Sequence, residues 1–135
     1  MSEFKDNGVR LWELGDYRLI KCPKCSKPVD YYGYRLSCAQ CGFIDDKDHY
    51  PDYELFLKID CCSEVLWAMN LEHLDFLEDY VSAKIRTRTP NINKSLASRL
   101  PQWIKSKKNR GQILKCLNKL RDKLKVEGYQ KRVVE

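Results

Sequence analysis

Cys22-Pro23-Lys24-Cys25, followed after twelve residues by Cys38-Ala39-Gln40-Cys41-Gly42, governs the reading of the whole chain. Each CxxC pair forms a knuckle, a tight turn whose backbone N–H groups point at two sulfurs. Two knuckles bring four thiolates to the corners of a tetrahedron, with bonds of ~2.3 Å to a zinc ion at its centre. Gly42 follows the last sulfur, where such a turn calls for positive φ. Cys22, Cys25, Cys38 and Cys41 are therefore expected to hold one structural zinc. Four protein ligands fill its coordination sphere and leave no position for water or substrate. Rubredoxin-type iron centres space their pairs further apart. A thioredoxin-type CxxC needs a helix N-terminus in a βαβ context, which neither pair has.

The residues around the knuckles read as strands. Asp16–Lys21 runs into the first pair, Tyr31–Ser37 into the second, and Gly42–Ile44 leaves it, with Lys27-Pro28 and Gly33 punctuating the connection. Val9–Leu14 reads as a further strand or a segment packed across this small sheet. So small a sheet has little core of its own, which couples its folding to the metal.

The seven cysteines fit the same view. Clustered cysteines in a reducing compartment are ligands more readily than disulfides, and the expected location is cytoplasmic. No apolar run approaches the roughly 20 residues of a membrane span, and nothing resembles a signal peptide. A chain of 135 residues that is 43% hydrophobic can bury a real core but is too short for a repeat array or a large barrel.

The net charge of +6 conceals a division. Residues 1–81 carry nine Lys and Arg against sixteen Asp and Glu, whereas residues 82–135 carry sixteen against three. Either the basic half has an anionic partner, or the two halves attract each other.

Between them, 45–54 reads as an acidic, proline-containing linker, with a solvated loop preferred to a second metal site around His49. Glu54–Asp60 and Glu64–Met69 flank a short polar tip and read as a second hairpin. Cys61-Cys62 at that tip admits three readings. The pair packs in the core, supplies ligands with His73, His49 or Cys116, or acts as a redox-active vicinal pair.

Asn70 is placed to cap a helix whose apolar stripe runs Leu71, Leu74, Leu77, Val81 and Ile85, widened by Phe76 and Tyr80. His73 on it reads as a partly buried residue. Its acidic residues lie towards the start, while Lys84, Arg86 and Arg88 lie at or past its end, complementing the helix dipole. Thr89-Pro90-Asn91 breaks the chain, and Asn93 can cap a short turn before Pro101. The last helix carries Ile113, Leu117, Leu120 and Leu124 and stops at Gly128, with Ser106 or Asn109 as cap and Asn109–Gln112 at capping-box spacing. Cys116 beside the stripe reads as core.

Lys105-Ser106-Lys107-Lys108-Asn109-Arg110 leads into that helix. Cations meeting a helix N-terminus favour phosphate, because free N–H groups and the dipole act in the same direction. Lys105, Lys107, Lys108, Arg110, Lys115 and Lys119 are the candidate nucleic-acid contacts, with DNA and RNA both open. Tyr31, Tyr32, Tyr34, Arg35 and Phe43 on the hairpin between and just after the knuckles either stack on bases or cover a small core.

CPKC…CAQCGF resembles the zinc ribbon of transcription factor IIB and of many transcription and replication proteins, over roughly residues 17–45. The remainder, with LWAMNLEHLDFLEDYV and SLASRLPQWIKSKKNR, is similar to small bacterial zinc-ribbon proteins of this length. That resemblance implies no activity, but it implies that ribbon and helices form one unit.

The expected fold is α+β: an antiparallel zinc ribbon with an N-terminal strand (1–45), an acidic linker with a second β-hairpin (46–70), and a basic helical region (71–135). No glycine-rich phosphate loop, serine elbow or HExxH motif is present, and two histidines leave little for acid–base chemistry. No catalytic residue and no small-molecule substrate are expected. The function read from the sequence is nucleic-acid binding through a basic helical surface. One alternative is a protein-interaction adaptor for a transcription, replication or nuclease machine, with an apolar patch around Trp67 and Trp103 and its basic half neutralised internally. A second alternative is a thiol redox or metal sensor at Cys61 and Cys62.

Overall fold

The computed structural model describes residues 3–6, 11–15, 17–33, 35–45, 53–83, 85–88, 96, 97 and 99–129. The acidic stretch with His49, the Thr89–Asn93 break, Tyr34 and Lys84 lie outside them, as do the side chains of Arg86 and Arg88. In chain order the elements are β1 (Glu3–Asp6), a 3-10 turn (Leu11–Leu14), β2 (Arg18–Lys21), β3 (Pro28–Tyr31), β4 (Leu36–Ser37), β5 (Ile44–Asp45), β6 (Leu57–Cys61), β7 (Glu64–Ala68), α1 (Leu71–Ser82), β8 (Ile85–Arg88), the short α2 (Gln102–Lys105), a second 3-10 turn (Lys107–Asn109) and α3 (Arg110–Val126).

The architecture is mixed α and β. Three antiparallel hairpins, β2–β3, β4–β5 and β6–β7, are joined by one parallel pair, β1–β8. That pair corrects two expectations. Leu11–Leu14 forms a 3-10 turn, and the N-terminal strand lies earlier, at Glu3–Asp6. Ile85 belongs to β8, because α1 ends at Ser82 and Ala83 turns extended. The β-branched Ile85 and Thr87 suit a strand better than the end of a helix.

The first hairpin is clamped to residues 54–69 by backbone bonds. The N–H of Leu19 donates to the carbonyl of Met69 at 2.8 Å, that of Phe56 to Leu19 at 3.0 Å, and that of Lys21 to Glu54 at 2.8 Å. Leu19 is fully buried in the main core with Leu57, Leu66, Leu74, Leu77, Ile113, Leu117 and Leu120. This core lies between the β6–β7 hairpin, α1 and α3. The inward residues alternate along β6 and recur at helical spacing on α1 and α3, as the two periodicities require.

The ends of α1 follow the sequence signals. Asn70 caps it, its side-chain oxygen accepting from the N–H of His73 at 2.9 Å. Asn70 is itself buried, and its amide donates to the Tyr17 carbonyl at 3.0 Å, so the cap also pins the approach to β2. At the end of α3, Gly128 adopts φ 65°; its N–H donates to Lys125 and that of Tyr129 to Leu124. These are the two bonds of a Schellman ending.

The start of α3 departs from expectation. Neither Ser106 nor Asn109 caps with its side chain, and the Asn109–Gln112 box does not form. The Asn109 amide donates instead to the Trp103 carbonyl at 2.9 Å. A 3-10 turn already feeds the chain into α3, with the Arg110 N–H bonded to Lys107, so the cap position is helical and the side chain is free to tie α2 down.

Candidate metal centre

The two CxxC pairs occupy the tips of β2–β3 and β4–β5 and repeat one hydrogen-bond pattern. In the first, Cys22 N–H donates to the Lys27 carbonyl and Ser26 N–H to the Cys22 carbonyl, both at 2.9 Å. In the second, Cys38 N–H donates to Phe43 at 2.8 Å and Gly42 N–H to Cys38 at 2.9 Å. The residue after the second sulfur is left-handed in both, Ser26 at φ 64° and Gly42 at φ 78°. Positive φ at Gly42 follows the sequence; its non-glycine counterpart at Ser26 does not.

This repetition brings four sulfurs together. Cys22 Sγ lies 3.7 Å from Cys41 Sγ, Cys25 Sγ lies 3.6 Å from Cys38 Sγ, and all four lie within 4.8 Å of one another. A tetrahedron with ~2.3 Å metal–sulfur bonds has edges of about 3.8 Å, so the set fits a four-coordinate thiophilic ion. Cys22 and Cys38 are buried, Cys25 half-buried and Cys41 exposed, so the centre lies at the surface end of the hairpins.

The thiols titrate as a crowded group. Burial pushes Cys22 up, but the N–H groups of Cys25 and Lys24 outweigh it and bring the thiol down to about 7. The Lys27 N–H lowers Cys25, yet burial and the facing sulfurs of Cys38, Cys41 and Cys22 push it up to about 12. Four thiolates this close repel each other, and a cation among them removes the conflict.

No protein-family model matches this chain, and neither a curated protein nor a solved structure matches it. The site therefore stands on its own geometry.

Among the described residues no other group of three or more Cys, His, Asp and Glu converges in this way. His73 is buried, and its Nδ1 accepts from the Met69 N–H at 2.9 Å, with burial holding its pKa down to about 4. Cys61 and Cys116 are core residues whose sulfurs lie 3.9 Å from the carbonyls of Gln112 and Asp60. Cys62 is half-buried, its sulfur 3.6 Å from that of Cys61. Burial, and then the Cys116 and Cys62 thiols, push Cys61 up, away from thiolate character.

The six basic candidates divide. Lys107, Lys108, Lys115 and Lys119 are exposed, and Lys105 is half-buried. Arg110 is turned inward, donating from Nη2 to the Ala83 carbonyl at 3.0 Å beyond the end of α1, with its Nε buried. That engagement removes it from the surface set. Arg121 pairs with Asp75 and Glu78 of α1, and Lys123 donates to the Phe56 carbonyl at 3.0 Å and lies 4.4 Å above the Phe56 ring.

The aromatics of the first hairpins are also engaged. Tyr31 meets Tyr53 edge-on at 5.0 Å, and Tyr32 lies 5.8 Å from Tyr17. Among the described residues the exposed large aromatic is Trp67. Its alternation with Leu66 and Ala68 in β7 was the sequence signal for it.

Proposed function

We propose that the chain is a zinc-ribbon protein that binds nucleic acid. One structural zinc held by Cys22, Cys25, Cys38 and Cys41 fits the tip-to-tip hairpins and the near-tetrahedral sulfur spacing. Thiolate softness and the sulfur geometry favour zinc over a hard cation. Zinc supplies folding energy there, fixing two hairpins that share a core of five buried residues.

The nucleic-acid reading is carried by one observation. Lys107, Lys108, Lys115 and Lys119 stand exposed along α3 and the turn before it, without an ion pair to any described residue. The arginines of the same region are taken up internally. Four surface ammonium groups on one helical element suit phosphate contacts that carry no base specificity.

The test is affinity of the zinc-loaded protein for DNA and RNA across a salt series. Log affinity should fall with log salt at about −0.9 per phosphate contact on duplex DNA. Lys107→Glu, Lys108→Glu, Lys115→Glu and Lys119→Glu together should flatten that slope. Absence of binding at low salt would remove the reading. An adaptor role is favoured by a separate observation: the double ion pair of Arg121 shows the basic half neutralised in part by acidic α1. Such an adaptor would bind a protein partner equally well after those lysine changes.

A further inference from the structure

A groove of about 570 Å³ lies between the outer face of β6–β7 and β2, with Arg18, Tyr53, Glu54, Lys58, Val65 and Trp67 in its wall. Its construction follows from the strands. Leu66 and Ala68 of β7 point into the core, so Val65 and Trp67 point out, each 44% exposed. Lys58 is the register partner of Trp67 across the hairpin and shares its face. The antiparallel bridge between Ile20 and Leu55 brings β2, and with it Arg18, to the other wall.

An outward sheet face is ordinarily polar, and nothing in the core calls for a tryptophan here. The aromatic walls are nevertheless fixed. Trp67 stands edge-to-face with His73 at 5.3 Å, and His73 is held by the Met69 N–H. Tyr53 is held edge-on by Tyr31, and its hydroxyl donates to Asp45 at 2.7 Å. Glu54, the one acid in the lining, already lies 3.7 Å from Lys58, leaving Arg18 as surplus positive charge.

We infer that this groove docks unpaired bases of single-stranded nucleic acid, which stack on Trp67 and Tyr53 while Arg18 and Lys58 meet the adjoining phosphates. The inference rests on the nucleic-acid reading above and gives it a second, base-contacting surface. A purely apolar partner would bury the Arg18 cation without counter-charge. A small anion would make no use of the aromatic walls. A duplex keeps its base faces stacked inside, whereas a single strand offers both face and phosphate.

The experiment compares the zinc-loaded full chain with its Trp67→Ala, Trp67→Phe and Arg18→Glu/Lys58→Glu variants. Labelled oligothymidylate and a duplex of equal length serve as probes. Trp67→Ala should weaken single-strand binding by about tenfold to a hundredfold and duplex binding little, with Trp67→Phe retaining most of the affinity. Tryptophan emission should fall on titration of the wild type and much less in Trp67→Phe. Unchanged single-strand affinity in Trp67→Ala and Arg18→Glu/Lys58→Glu, with loss in the lysine variant of α3, overturns the groove and leaves the nucleic-acid reading standing. Binding of neither probe by the wild type overturns both. A purified protein that binds wild type but not Trp67→Ala, uncompeted by oligonucleotide, assigns the groove to a protein and also overturns it.

Discussion

The cysteine hairpins and the helical layer solve the same problem with different means. The hairpin pair buries Ile20, Cys22, Val29, Leu36 and Cys38, and two of those five belong to the four-sulfur cluster. The layer of β6–β7, α1 and α3 belongs to a cluster of nineteen buried residues. Removing apolar area from water stabilises by roughly 25 cal/mol per Å², so burial stabilises the second region far more than the first. Strands of two to four residues bury little core, and the proposed metal would cross-link the hairpins where burial is short. The two regions still meet through polar pairs. Lys27 bonds Glu127 at 2.6 Å, Tyr129 donates to Asp30 at 2.7 Å, and Tyr17 donates to Glu72 at 2.6 Å.

Metal removal should separate the regions most sharply. Zinc in comparable tetrahedral sites contributes roughly 10–16 kcal/mol of apparent free energy at neutral pH. Chelation should abolish amide protection at the two knuckles, 22–27 and 38–43, while α1 and α3 stay protected, as read by hydrogen exchange with mass spectrometry. Uniform loss over both regions, or none in the hairpins, would break the comparison.

The converse change is Leu117→Ala, at a side chain with no exposure in the helical core. It should cost about 2–5 kcal/mol in urea unfolding followed by helical circular dichroism. Metal content should remain one equivalent per chain.

Acid should act on the helical layer through His73. Its folded pKa of about 4 lies below its ordinary 6.5, so between those values the unfolded chain takes up a proton that the folded chain refuses. Stability therefore falls as pH drops from 6.5 to 4, by about 3 kcal/mol at the lower end. His73→Gln should flatten this part of the profile relative to wild type, and parallel profiles would remove His73 as the cause.

The smallest effects test the knuckles. Ser26→Gly should stabilise the hairpins by about 1 kcal/mol, because φ 64° is strained for serine, and Gly42→Ala should destabilise them by a similar amount. Denaturant midpoints of the metal-loaded protein would resolve both, and equal signs would contradict the matched turns.

Local chemistry was legible because it is short in range. CxxC twice, Asn70 before an apolar stripe and Gly128 after one each act within a few residues, and each appears where its residues stand. The β1–β8 pair was hidden because its strands lie some eighty residues apart and neither alternates strongly. The capping box failed because the preceding 3-10 turn holds Asn109 in helical backbone and its amide donates to the Trp103 carbonyl, an arrangement that local spacing does not contain. Arg110 had the composition of a phosphate contact, but the end of α1 claimed it.

By itself, the sequence determined the cluster of four sulfurs, the β6–β7 hairpin and the apolar faces of α1 and α3. The single ribbon it suggested over Asp16–Ile44 is two hairpins, because Pro28–Tyr31 pairs with β2 and only Leu36–Ser37 pairs with β5. Ligand spacing and strand or helix period are properties of neighbouring residues. Tertiary structure alone decided which cations remain on the surface. Arg110, Arg121 and Lys123 found carbonyls and carboxylates on distant elements, while Trp67 was left on the outer face of its hairpin with a groove beside it. Charge and aromaticity are fixed residue by residue, but their availability depends on what folds against them.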